Sequence, residues 1–175
     1  MQLLDLPGII EGASTGKGRG RQVIAVAKSA DLVIMMLDAQ KGEEQKAKLT
    51  RELENTGIRL NKEKPDIVIK PQKIGGIHVT FATPPKKITE ALVKNVMKEY
   101  KIHNAHVKFN EDYDVDGLLD CIEGNRKYIK CIYTYNKIDT ISIEDCDRLT
   151  ADPENAVISC QMNLGIDILM EKIWD

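Results

Sequence analysis

The sequence has few aromatic residues, no long apolar run and no close pair of cysteines. Aromatic residues make up 5% of its 175 residues, and the longest apolar run is residues 32–37. A membrane-spanning helix needs roughly 18 such residues. The four cysteines form no CxxC pair, which argues against a disulfide framework and a zinc site. Residues 1–5 lack the basic segment of a secretory signal. We therefore exclude a collagen, a coiled coil, a disulfide scaffold and a membrane-spanning protein.

Charge is unevenly distributed along the chain, although the formal net charge is only −2. Residues 1–58 are neutral on balance. Residues 59–108 hold eleven basic and four acidic residues, a net charge of +7, and residues 109–175 carry a net charge of −9. A basic segment between a neutral and an acidic one favours a separate module that is suited to phosphate.

The spacing of apolar residues predicts two sets of secondary-structure elements. Four apolar segments are predicted strands of one sheet: residues 2–6, 32–37, 128–135 and 155–159. They alternate with helices predicted at residues 21–29, 43–55 and 166–174. This alternation indicates an α/β fold with a mostly parallel sheet. A small α+β module interrupts it, with strands predicted at residues 67–69, 77–82 and 105–109 and helices at residues 89–100 and 115–122. We predict one domain of residues 1–57 and 128–175, and an inserted domain of residues 58–127.

A DxxG motif, Asp5 to Gly8, follows the first predicted strand. An aspartate at the end of a strand can hold Mg²⁺ through water, and the backbone N–H of Gly8 can reach a terminal phosphate. Chance supplies DxxG often, and the alternative is a turn with a capping aspartate.

An NKxD motif, Asn136-Lys137-Ile138-Asp139, directly follows the strand predicted at residues 128–135. The Asp139 carboxylate can accept hydrogen bonds from guanine N1–H and from its exocyclic amine, a donor pair that adenine lacks. The Lys137 stem can lie over the base, while the Asn136 amide joins the loop to its neighbours. Open α/β sheets bind ligands at this edge. The alternative is an Asx-turn.

A third segment, Ser159-Cys160-Gln161, follows the last predicted strand. A turn of small residues there can direct a backbone N–H towards guanine O6. Alone it carries little information, but the order DxxG, NKxD, Ser-x-x, each after a strand, predicts a guanine-nucleotide site.

The sequence segments around these motifs resemble those of the developmentally regulated GTP-binding proteins, which belong to the Obg/HflX-type P-loop GTPases. The resemblance runs from Gln2 to Trp174 and is carried by these segments: DLPGIIEGA from Asp5, GKGRGRQ from Gly16, YKIHN from Tyr100, EGNR from Glu123 and NKID from Asn136. It implies that the basic insert is similar to the second domain of ribosomal protein S5.

The resemblance also shows what this sequence does not contain. Family members carry a P-loop and a switch I threonine, which would precede Met1, and a TGS domain, which would follow Asp175. Gly12 to Gly18 is not a P-loop, because only three residues separate Gly12 from Gly16 and Gly18 replaces the Mg²⁺-binding hydroxyl. This stretch resembles switch II, with Ile9, Glu11, Lys17 and Arg19 in that segment. We therefore expect a fragment that lacks activity by itself.

For the complete protein, the resemblance implies hydrolysis of GTP to GDP and phosphate with Mg²⁺, stimulated by potassium. Implied partners are a dedicated stabilising protein and the ribosome or RNA, with no membrane or DNA, and the expected location is cytoplasmic. The alternative function is a non-catalytic RNA- or protein-binding module that acts through lysines of the insert: Lys62, Lys64, Lys70, Lys73, Lys86 and Lys87.

Overall fold

The computed structural model describes residues 2–6 and 20–174. In chain order its helices are α1 (Gly20–Ser29), α2 (Gly42–Asn55), α3 (Glu90–Glu99), α4 (Val115–Glu123), α5 (Ile143–Thr150) and α6 (Ile166–Trp174). Its strands are β1 (Leu32–Asp38), β2 (Ile58–Leu60), β3 (Ile67–Pro71), β4 (Ile77–Phe81), β5 (Ala105–Phe109), β6 (Lys127–Asn136) and β7 (Asn155–Val157). The chain forms two compact units, Met1–Lys62 with Lys127–Asp175, and Glu63–Arg126.

The first unit is built around β6, an apolar strand that is buried over most of its length. Strand β1 pairs with it in parallel from Leu32 opposite Lys130 to Asp38 opposite Asn136. Strand β2 pairs in parallel with the first residues of β6, and β7 with residues 133–135. All these pairings are parallel, so Asp38 and Asn136 end neighbouring strands at one edge of the sheet.

One face of this sheet carries the core of the first unit. Successive side chains of a strand point to opposite faces, and Cys131, Tyr133 and Tyr135 of β6 therefore share one. They join a buried cluster with Ala27 of α1 and Leu53 of α2. Burying apolar surface in such a cluster stabilises a fold by about 25 cal/mol per Å².

The second unit has a three-stranded sheet in the order β3-β5-β4. Strand β3 is antiparallel to β5, whereas β4 is parallel to it. Helix α3 begins after Thr89, whose hydroxyl oxygen accepts a hydrogen bond from Leu92 N, and α4 begins after Asp114, whose carboxylate accepts one from Gly117 N. Both helices contribute to the core that covers one face of this sheet.

Most predicted elements are present, and four features differ. Residues 2–6 form no strand: Leu3 and Leu4 are exposed, and the segment pairs with no strand within the described residues. Helix α5 and strand β2 were not predicted. We predicted that the insert begins at residue 58, whereas residues 58–60 pair with β6 and lie in the first unit. Within the described residues, no helix is long and apolar enough to cross a membrane.

Candidate functional site

The NKxD motif begins at the last residue of β6, where Asn136 links two loops. Its side-chain Oδ1 accepts a hydrogen bond from Lys137 N at 2.8 Å and another from Cys160 N at 3.1 Å. Since Lys137 follows β6 and Cys160 follows β7, one amide oxygen joins the loops after two neighbouring strands. The predicted bracing role of Asn136 thus has a specific acceptor atom and two specific donors.

A second link joins the same two loops through Asp139 and Ser159. The Ser159 hydroxyl donates to Asp139 Oδ1 at 2.5 Å and accepts from Met162 N at 3.1 Å. Ser159 is fully buried, whereas Asp139 is exposed. The buried hydroxyl therefore fixes the orientation of an exposed carboxylate. Such a carboxylate can meet a ligand without first losing much rotamer freedom.

Lys137 has the left-handed backbone conformation, with φ 67° and ψ 38°, at the start of a single 3-10 turn over residues 138–140. The Thr140 hydroxyl donates to the Lys137 carbonyl oxygen at 2.7 Å and closes this turn. The Lys137 ammonium donates to Asp38 Oδ2 at 2.8 Å. Asp38 ends β1 and is the register partner of Asn136. The ion pair therefore directs the Lys137 side chain across the end of the sheet.

This ion pair shifts the pKa of both of its groups. The hydrogen bond from Lys137, together with one from Gln40 N, lowers the pKa of the Asp38 carboxyl. The Asp38 carboxylate raises the pKa of the Lys137 ammonium. Because both side chains are partly solvent-exposed, water screens the pair, and we assign it an orienting role and no large contribution to stability.

The end of β6 is supported by a close contact between Tyr135 and the first turn of α2. Tyr135 is fully buried, and its hydroxyl donates to Glu43 Oε1 at 3.1 Å. A Cβ at residue 42 would overlap the Tyr135 ring, so only glycine lets α2 begin here. Burial and the Glu43 hydrogen bond both raise the pKa of Tyr135, which keeps the phenol neutral.

The loop after β7 depends on another glycine. Ser159 and Leu164 exchange two backbone hydrogen bonds of 3.0 Å, which closes the loop that contains Cys160 and Gln161. Gly165 follows with φ +69°, and a Cβ there would overlap the Val157 carbonyl oxygen. Glycine is required at this position for both reasons.

The structure thus brings together most of the predicted base-recognition residues: Asn136, Lys137, Asp139, Ser159 and Cys160. Gln161 lies exposed in the same loop. We expected a backbone N–H of this turn to point at guanine O6, and the N–H of Cys160 donates to Asn136. Asp5, the predicted Mg²⁺ ligand, is exposed. Gly8 and the predicted switch II residues lie outside the described residues: Ile9, Glu11, Lys17 and Arg19.

Sequence reasoning missed Asp38. The signal was available, because Asp38 directly follows the apolar run of β1 just as Asn136 ends β6. An acidic residue at the carboxyl end of a buried parallel strand faces the edge where such sheets bind ligands.

Comparison with known proteins identifies the family. Residues 74–175 match the family model for the C-terminal region of the MMR_HSR1 domain, and residues 1–71 match the MMR_HSR1 model, which is described as a 50S ribosome-binding GTPase. The chain belongs to the MMR_HSR1 GTPase family. The predicted fold class, an α/β GTPase domain with a mainly parallel sheet, is confirmed. The likeness of the second unit to ribosomal protein S5 stays a prediction.

Relatives of this MMR_HSR1 chain are developmentally regulated GTP-binding proteins, as the sequence segments around the motifs predicted. Developmentally-regulated G-protein 2 of Arabidopsis thaliana is 58% identical over 175 residues, which are 100% of this chain and 44% of that protein. Developmentally-regulated GTP-binding protein 2 of Homo sapiens is 57% identical over 100% of this chain and 48% of that protein. The chain spans about half the length of the curated relatives it matches.

The GTPase family implies GTP or GDP and Mg²⁺ as ligands, and the residues differ in how well they fit these groups. An exposed carboxylate held by Ser159 and a lysine held by Asp38 suit a guanine base. Within the described residues, however, no three histidine, cysteine or acidic side chains are close enough together to hold a metal ion. Asp5 is the one residue that we predicted for Mg²⁺, and we assign no metal geometry.

Proposed function

We propose that this chain supplies the guanine-recognition part of a GTP-binding and GTP-hydrolysing protein. The observation that carries the proposal is the double link between the loops after β6 and β7. Asn136 binds Cys160 N, and Ser159 binds Asp139. These bonds hold the polar groups of both loops at the edge of the parallel sheet where α/β proteins bind ligands.

The proposed chemistry of base recognition follows from the Asp139 carboxylate. It accepts hydrogen bonds from guanine N1–H and from the exocyclic amine, whereas adenine presents no such pair of donors. The Lys137 stem covers one face of the base, with its ammonium directed to Asp38. A charge-assisted hydrogen bond contributes about 1.5–3 kcal/mol, and Asp139 therefore accounts for most of the preference for guanine.

Phosphate binding and hydrolysis belong, in this proposal, to the complete protein. The sequence has no GxxxxGK[ST] segment, the element whose backbone N–H groups and lysine cradle the phosphates. We propose that Asp5, through water, and Gly8 join the Mg²⁺ and terminal-phosphate side of the site in the complete protein. Stimulation by potassium stays a prediction.

The proposed setting is the ribosome. The description of the matched family as a 50S ribosome-binding GTPase supports it, and so does the resemblance noted in the sequence. A stabilising protein partner and a cytoplasmic location are further predictions from that resemblance.

Base recognition can be tested without the phosphates. We expect the ¹⁵N-labelled chain, titrated with GMP, to show shifts of amide signals at residues 136–139 and 159–161, and AMP to leave them unchanged. Affinity will be weak, because a nucleoside monophosphate offers few contacts. Shifts spread evenly over the chain, or equal shifts with AMP, would contradict the proposal.

A specificity variant sharpens this test. Asp139→Asn should lose the response to GMP and gain one to XMP, because an amide N–H can donate to xanthine O2. Asp147→Asn is the matched control: Asp147 is an exposed aspartate of the same unit, on α5. It should keep the response to GMP.

A further inference from the structure

The second unit presents one face of its sheet that none of that unit's own residues covers. Alternate residues of its strands, among them Ile67, Ile77 and Val107, point into the core with α3 and α4. The other alternate residues point away from that core and are exposed or half-exposed: Val68, Lys70, His78, Thr80, His106 and Lys108. We call these six residues the open sheet face.

The strand register arranges the open sheet face in two rows. Lys70 and His78 both pair with His106, which places these three side chains side by side. Val68, Lys108 and Thr80 form the next row. Neighbouring strands lie about 4.8 Å apart and successive rows about 7 Å apart. Four nitrogen-bearing side chains therefore share a patch that is three strands wide and two rows long.

Hydrogen bonding orders part of this patch. The Thr80 hydroxyl and His106 Nε2 lie 2.8 Å apart, a hydrogen bond that holds the imidazole ring across the strands. Lys70 and Lys108 are exposed, and within the described residues neither forms a salt bridge. Their ammonium groups are therefore free to bind an anion.

Charge in this unit is segregated and not simply positive. Residues 63–126, all of which the structure describes, hold ten basic and ten acidic residues. Six of the acids lie in α4 or in the segment before it: Glu111, Asp112, Asp114, Asp116, Asp120 and Glu123. The open sheet face holds none, and the nearest acid along β3 is Asp66, two residues before Val68. The open sheet face therefore carries two lysines and no acidic residue, although the unit as a whole has no net charge.

We infer that the open sheet face binds the phosphate backbone of double-stranded RNA. A flat surface with free lysines and no acid complements a row of phosphates. The face has no phenylalanine, tyrosine or tryptophan, and the Thr80 hydroxyl holds one of its two imidazoles, that of His106. It therefore offers little surface on which unpaired bases could stack, and this favours a duplex over a single strand. We choose RNA as the ligand because of the ribosomal setting proposed above, and this inference rests on that proposal. This RNA binding requires no guanine nucleotide.

The test measures RNA binding by the nucleotide-free full chain. The probe is a fluorescein-labelled RNA hairpin with a stem of about 16 base pairs, the length that a small double-stranded-RNA-binding domain spans. Fluorescence anisotropy over a series of KCl concentrations gives the affinity and its salt dependence. Lys70→Gln/Lys108→Gln removes both free lysines of the face. Lys98→Gln/Lys101→Gln removes two exposed lysines at the end of α3 and serves as the control. Circular dichroism checks that each variant is folded.

We expect the wild-type chain and the control variant to bind with similar salt dependence. In Lys70→Gln/Lys108→Gln, the magnitude of the slope of log affinity against log salt concentration should decrease by about two, by one for each lost phosphate contact. Equal losses in both variants would place RNA binding elsewhere and overturn the inference while leaving the ribosomal setting in place. Absence of RNA binding at low salt would also overturn the inference, and the ribosomal setting would still be supported by the family description. Guanine recognition at Asp139 would be untouched by any of these results.

Discussion

Replacing Asn136 by alanine should loosen the site and destabilise the first unit. The change removes the acceptor of two hydrogen bonds, from Lys137 N at 2.8 Å and from Cys160 N at 3.1 Å. Each such bond contributes about 0.5–1.5 kcal/mol to stability. Because Lys137 and Cys160 are exposed, water can replace part of each bond. We therefore expect the free energy of unfolding to fall by about 1–2 kcal/mol.

Urea unfolding, followed by far-UV circular dichroism and by the fluorescence of Trp174, measures this change. Trp174 is the single tryptophan and lies in α6 of the same unit, so its signal separates this unit from the other. Asn136→Asp is the matched control, since it keeps an acceptor oxygen in place and should retain most of the stability. If Asn136→Ala unfolds at the wild-type urea concentration, the two bonds do not hold the loops together and the reasoning fails.

Three further outcomes are expected. Gly165→Ala should lower the melting temperature more than Gly124→Ala does, because both glycines have positive φ but only at residue 165 would a Cβ meet the Val157 carbonyl oxygen; equal losses would mean that strain alone matters. Burial raises the pKa of the Cys131 thiol from 9.0 to about 12. The stability that comes from keeping this thiol neutral is therefore complete below pH 9 and is lost as the pH rises towards 12. A urea midpoint that stays constant over this pH range would contradict the burial of Cys131. Isothermal titration of the chain with GTP and Mg²⁺ should show no binding in the low micromolar range, and tight binding would make Lys17 the first residue to mutate.

Sequence patterns predicted the elements whose apolar spacing is regular and missed those that depend on partners. Residues 2–6 have the composition of a strand, but a strand forms only where a neighbour accepts its hydrogen bonds. Strand β2 shows the reverse: three residues after Gly57, with Arg59 between two apolar ones, give a weak pattern, and pairing with β6 makes them a strand. Tertiary context decides both cases.

Helix α5 was missed although it carries a local signal. It has acidic residues in its first turn and a single buried residue, Leu149, so the apolar pattern is faint. Ser142, however, accepts a hydrogen bond from Asp145 N, the arrangement that a serine three residues before an acid predicts at the start of a helix.

In the site, the residue types were predictable and the contacts between them were not. The NKxD motif predicted Asn136, Lys137 and Asp139 as site residues, because residue type and order determine their chemistry. The ion pair between Asp38 and Lys137 depends on the register between β1 and β6. The two residues are 99 positions apart, and the spacing of residues along the sequence does not reveal this register. The open sheet face was hidden for the same reason, since Lys70, His106 and His78 become neighbours only through pairing.

The central place of β6 has a consequence for how the first unit folds. Strands β1 and β2 pair with β6 and not with each other, and β6 follows both of them only after the 64 residues of the second unit. During synthesis on the ribosome, the earlier strands emerge before β6, with which both pair in the described part of the chain. High contact order of this kind slows folding and leaves apolar edges exposed for longer. The second unit, whose strands and helices are contiguous in sequence, can complete its core first.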